Sequence, residues 1–288
     1  MMTDMTEYME SGRIRTLMNL GLQAGSFIKK DFTIALSYKL QFTFQFVQIF
    51  FSIALIYFIG KMLHTSGSSP LLKQYGADYF SFALVGLAVT SYLKAGLVTI
   101  TNDIRQVMNQ GTFEAMCAAP IGYNRLLLCG AMWPFVFETI RVIFHFLVAM
   151  TFFGMKLNCA DWSAAVVGML LTIPVFLMLG VISSSILVVV KKGDPINWIF
   201  SGAASLLAGT MFPIALLPGW LKFIAYCLPL THSLEAMRKS LLAGASLFQV
   251  APHLLALLVF TAILLPLTMA VTSICMKKAK SCGAFTTH

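Results

Sequence analysis

Six apolar blocks, at roughly 40–60, 79–101, 126–152, 164–190, 196–215 and 252–276, alternate with short polar breaks between Lys39 and Met276. Each reaches the roughly 20 residues that a helix needs to cross hydrocarbon. The layout predicts an all-α integral membrane protein with six transmembrane helices over 40–276. Such spans leave little chain for anything else, so one membrane domain over 1–288 is expected. Only 11% of the residues are charged, against about 25% in an ordinary soluble domain.

The net charge of +9 would suggest nucleic acid in a soluble protein, but here the positions of the cations report orientation and no nucleic-acid partner is expected. With a cytoplasmic N-terminus, twelve fall inside: Arg13, Arg15, Lys29, Lys30, Lys39, Arg105, Arg125, Lys191, Lys192, Lys277, Lys278 and Lys280. Six fall outside: Lys61, Lys73, Lys156, Lys222, Arg238 and Lys239. This bias predicts that both termini are cytoplasmic. The first 35 residues carry Asp4, Glu7 and Glu10 and no basic stretch leading into an apolar core, so no cleavable signal peptide is expected. The six cysteines show no CxxC or CxxH spacing and read as small buried hydrophobes. A Cys159–Cys227 disulfide on the outer side is the alternative.

Three polar segments offer local structure. Residues 13–30 put Ile14, Leu17, Met18, Gly21, Gly25 and Ile28 on one helical face between Arg13/Arg15 and Lys29/Lys30. That pattern suits a helix lying among lipid headgroups, or else a basic arm. Residues 102–121 form a cytoplasmic loop between the second and third spans. In it Thr112 can cap a short helix with Glu114 in its first turn and Pro120 as its stop. Phe113 and Met116, exposed there, would make a knob for a soluble partner; the plainer reading is a tight connector. Residues 217–244, broken by Pro218, Gly219 and Pro229, predict an outer re-entrant helical hairpin before the last span. Trp220 and Tyr226 suit interfacial depth. Thr231 is the candidate N-cap and Gly244 the candidate stop of its second helix.

These segments carry a resemblance. Gln110-Gly111-Thr112-Phe113-Glu114-Ala115-Met116 with Ala119-Pro120-Ile121, Phe212-Pro213-Ile214 with Leu217-Pro218-Gly219-Trp220-Leu221, and Leu228-Pro229-Leu230-Thr231-His232-Ser233-Leu234-Glu235-Ala236-Met237-Arg238 stand at matching places among the spans. Together they resemble the permease subunits of type-2 ATP-binding-cassette exporters. Arg105-Gln106-Val107-Met108-Asn109 departs from the family pattern, being less charged than the run that often precedes the first motif. The resemblance implies a homodimer or heterodimer of half-channels in a bacterial cytoplasmic (inner) membrane, each half held by a separate ATPase. Thr112, Phe113, Glu114 and Met116 would then belong to the coupling helix, and Trp220, Tyr226, Glu235 and Arg238 to the outer hairpin. Leu217-Pro218-Gly219-Trp220 is more similar to the drug and lipo-oligosaccharide branch than to the polysaccharide branch.

Polar groups inside the spans are the other candidates. Gln41, Gln45, Gln48 and Ser52 recur at i, i+4, i+7 and i+11, within an arc of about 60° on the first span. Unpaired amides cost several kcal/mol in hydrocarbon, so the stripe faces either a helix seam or a substrate path. Glu138, Arg141 and His145 share a face of the third span, and Lys94 lies in the second, near enough to the cytoplasmic end to snorkel or to reach Glu138. They read as structural ion pairs, substrate contacts or a proton path. Ser201, Gly202, Ala203, Ala204, Ser205 and Gly209 make the fifth span small-sided, as a helix or dimer seam would be.

No GxxxxGK[ST] occurs, so ATP and Mg²⁺ are expected in a partner chain, with no catalytic, cofactor or metal site in this one. The expected function is the membrane-spanning subunit of an ATP-driven exporter of an amphipathic substrate. The alternative is a proton-coupled secondary transporter using Glu138, Arg141 and His145. HExxH and GxSxG are absent, which disfavours an intramembrane enzyme.

Overall fold

The computed structural model describes residues 39–65, 75, 78–113, 123–155, 157, 160–190, 197 and 199–281, with a few positions between 25 and 37. Among the described residues all regular structure is helical: α1 (Lys39–Thr65), α2 (Tyr79–Asn109), α3 (Tyr123–Phe153), α4 (Trp162–Val190), α5 (Ala204–Leu207), α6 (Gly219–Tyr226), α7 (Pro229–Leu242) and α8 (Leu247–Ser281). Five of them, α1 to α4 and α8, are long and apolar enough to cross a membrane. The fold is all-α, as the apolar blocks predict.

Local chemistry sets the helix starts. Asp78 accepts from the Ser81 amide at the head of α2. At the head of α4, Asp161 Oδ1 accepts from the amides of Ser163 and Ala164 and from the Ser163 hydroxyl at 2.6 Å. These bonds, the hydroxyl's first, hold its carboxyl below the usual carboxylate range.

The most buried span is α2, which packs against α1, α3, α4 and α7. Leu84, Val85, Leu93 and Leu97 form the centre of the core on it. Between α2 and α4, a Cβ on Gly180 would overlap the Gly96 carbonyl, and one on Gly96 would sit 2.5 Å from the Phe176 carbonyl. Small residues therefore let these two backbones touch. Hydroxyl pairs bind the other seams: Tyr92 to Thr139 at 3.0 Å, Thr172 to Ser233 at 3.1 Å and Ser185 with Thr272 at 3.1 Å. They satisfy polar groups where no water competes.

Several expectations need correction. Among the described residues the α-helix of the fifth block stops at Leu207, as a π turn (Ile199–Ala203) followed by α5, with only a short 3-10 turn (Ile214–Leu216) beyond it, instead of running to 215. Gly209, at φ 74°, takes the left-handed turn that ends it. On that block Gly202 and Ala203 are exposed while Ala204 and Ala208 are buried. Residues 102–109, read as loop, continue α2 as helix. Phe113 is buried, not exposed: it packs with Ile104, Val181 and Val188. An aromatic ring gains more from that apolar corner than from a surface position.

Thr231 does not cap its own helix, where Leu228 is the N-cap and Pro229 occupies the first turn. Its hydroxyl donates instead to the Ala225 carbonyl at 2.6 Å, closing the end of α6. Cys227 is an exposed free thiol rather than a buried hydrophobe or half of a disulfide, and Cys159 lies outside the described residues. Most of 13–30 lies outside them too. Just beyond, the Phe32 ring meets Trp133 of α3 edge-on at 5.8 Å.

Candidate translocation site

A cavity of about 310 Å³ opens between α1, α2 and α3. Gln48 and Ser52 from α1, Ser91, Lys94 and Thr99 from α2, and Glu138, Arg141 and His145 from α3 line it, with Ile49, Leu87, Ala95 and Val98 as apolar wall. Two residue groups read separately from the sequence thus meet at one place. Gln45 lies one turn away with its Oε1 buried and unpartnered, and the Gln41 side chain lies outside the described residues.

The cavity sits halfway along α2 and α3. Lys94 is the sixteenth of the 31 residues from Tyr79 to Asn109, and Glu138 the sixteenth of the 31 in α3. At about 1.5 Å per residue each is some 22 Å from either helix end. Lys94 closes the regular first half of α2. Directly after it the backbone widens into a π turn, Ala95–Thr99. Such a bulge shifts the register of the remaining helix and turns Ala95, Val98 and Thr99 onto the cavity wall.

The charges are unevenly matched. Arg141 donates to Glu138 Oε2 at 3.0 Å within α3. Glu138 is 4% exposed, and its Oε1 has no hydrogen-bond partner; nor has Arg141 Nε. His145 Nδ1 meets the Arg141 carbonyl at 2.7 Å and so carries the proton there. Lys94 is exposed and has no hydrogen bond or ion pair among the described residues.

A second polar cluster lies in the hairpin. α6 leaves Trp220, Phe223 and Tyr226 exposed, whereas 10 of the 14 residues of α7 are buried against α2, α4 and α8. Arg238, fully buried, donates to the carbonyls of Gly209 at 2.9 Å and Thr210 at 2.6 Å and lies 3.5 Å over the Phe82 ring. A cation thus satisfies the carbonyls freed where α5 stops. Burial lowers its pKa to about 10, opposed by Glu235 and Tyr75, so it stays charged at neutral pH.

Tyr75 donates to Glu235 at 2.7 Å, and burial, then Glu235, raises its pKa, keeping it a donor. Lys239 lies 3.8 Å from Glu235 and 2.9 Å from His253 Nε2, and His253 meets His232 at 3.4 Å. His232 Nε2 donates to the Tyr226 carbonyl at 2.9 Å. Sequence reasoning proposed Glu235 and Arg238 only through the resemblance and missed Tyr75 and His253. Only the tertiary fold brings Tyr75, 160 positions away, to Glu235.

A helical protein with five helices long and apolar enough to cross a membrane, packed around a charged cavity, belongs to the class of integral membrane proteins. Over residues 24–242 the chain matches the family model described as ABC-2 type transporter, and it belongs to that family. It is a permease subunit of an ABC transporter. It is also similar to two curated proteins named Nodulation protein J. That of Rhizobium meliloti (strain 1021) is 26% identical over 190 residues, covering 63% of this chain and 69% of the relative. That of Sinorhizobium fredii (strain NBRC 101917 / NGR234) is 25% identical over 195 residues, covering 64% and 70%.

Proposed function

We propose that this chain pairs with a second permease, identical or closely related, to form the export path for an amphipathic, lipid-like substrate. Separate ATPase subunits, which hold the ATP and Mg²⁺, drive it from the cytoplasmic face of a bacterial inner membrane. The observation that carries the reading is the cavity where Gln48 and Ser52 face Lys94, Glu138, Arg141 and His145. A polar chamber with an apolar wall at bilayer depth suits the junction between a headgroup and its chain.

The coupling reading rests on Phe113. Its ring is wedged against α2 and α4 beside Met276 of α8, so a push on residues 112–116 is carried into the spans instead of being absorbed by a loose loop. Glu114 and Met116 lie outside the described residues and are proposed as ATPase contacts through the family resemblance.

The test is co-purification with the ATPase and ATP-dependent uptake into inverted vesicles. Glu114→Ala is expected to reduce ATPase association, whereas Gln48→Ala with Ser52→Ala should keep association and lower transport. Transport by the purified chain alone under a pH gradient would replace this reading with proton coupling. External labelling of a cysteine placed at Asn109 would invert the orientation.

A further inference from the structure

Resting on the reading of the cavity as the substrate path, we propose that it recognises an amphiphile whose headgroup combines an anionic oxygen, of phosphate or carboxylate type, with a hydroxyl. The cavity carries two fixed cations, Lys94 and Arg141, and one carboxylate, Glu138. Glu138 and Arg141 already pair, which leaves the Lys94 ammonium as the unmatched charge, with no partner among the described residues.

An ammonium within an apolar span is costly in hydrocarbon unless something of opposite charge or water meets it. The unpartnered atoms define the complement further. Arg141 Nε is a buried donor and Glu138 Oε1 a buried acceptor. An anion between Lys94 and Arg141 meets the donor, and a hydroxyl beside it meets the acceptor. A cationic headgroup would set its charge against Lys94 and leave Arg141 Nε unmet. The volume of about 310 Å³ accommodates a headgroup and the first part of a chain, for which Ile49, Leu87 and Val98 supply the wall.

The experiment uses the full chain in phosphatidylcholine nanodiscs, labelled with a photoreactive long-chain alkyl phosphate and mapped by peptide mass spectrometry. Labelling is expected on α2 and α3 around Lys94 and Glu138. Unlabelled alkyl phosphate should displace it, while an alkyl trimethylammonium of equal chain length and inorganic phosphate should not. Lys94→Gln should raise the displacing concentration about tenfold, and Lys94→Arg should restore most of the affinity. Should Lys94→Gln fail to fold, the wild-type competition and Lys94→Arg still decide.

Equal displacement by the ammonium probe, or unchanged affinity in Lys94→Gln, overturns the anion assignment and leaves the path reading standing. Displacement by inorganic phosphate as effective as by the alkyl phosphate shows an anion site without amphiphile recognition and overturns the proposal. No labelling at the cavity, with normal transport by the Gln48/Ser52 variant, overturns both readings.

Discussion

Glu138 gives one carboxylate oxygen to Arg141, and its other oxygen is buried without a hydrogen-bond partner among the described residues. Glu138→Gln should leave Arg141 without its ionic partner and cost about 1–3 kcal/mol, read as a lower melting temperature of the purified protein. Arg238→Met should be at least as damaging, since it strands the Gly209 and Thr210 carbonyls where no water replaces the lost donors. Each charge-assisted bond lost is worth about 1.5–3 kcal/mol, and a melt in detergent checks it. Single residues were partly legible in the sequence. The i, i+3 spacing announced the Glu138–Arg141 pair, because that contact lies within one helix. Nothing local announced Arg238, whose partners are 28 and 29 positions away.

At the scale of elements, the close approach of α2 and α4 depends on two glycines. Gly180→Ala places a methyl group on the Gly96 carbonyl, and overpacking of this kind costs about 1–3 kcal/mol. Gly202→Ala meets nothing within 4 Å among the described residues and should leave the single subunit's melting temperature unchanged. Comparing the two melts checks both. Most helix limits were legible, since a run of apolar residues long enough to span must be helical in lipid. Two were not: α2 carries on through polar residues 102–109 to Asn109, and the fifth block stops at Leu207 despite continuing apolar. In one case helical hydrogen bonding outruns hydropathy; in the other Gly209 ends the helix.

For the whole molecule, Phe113 ties the inner segment to three spans. Phe113→Ala should cost about 3–5 kcal/mol, as removal of a buried ring does, and should uncouple ATP hydrolysis from transport more than it weakens ATPase binding. Thermal melts, co-purification and vesicle uptake measured together separate those effects. Replacing Glu114 should show the reverse ranking.

The membrane class, the helical spans, the predicted orientation and the kinship of this chain were readable without coordinates, because hydropathy, loop cations and short motifs are properties of contiguous residues. The fold alone decided that Lys94 shares a cavity with Glu138 and Arg141, that Gln48 and Ser52 of α1 line it with the charges of α3, and that a buried arginine closes the broken fifth block. Those are contacts between helices distant in sequence, and their partners are chosen by packing, which no local pattern encodes.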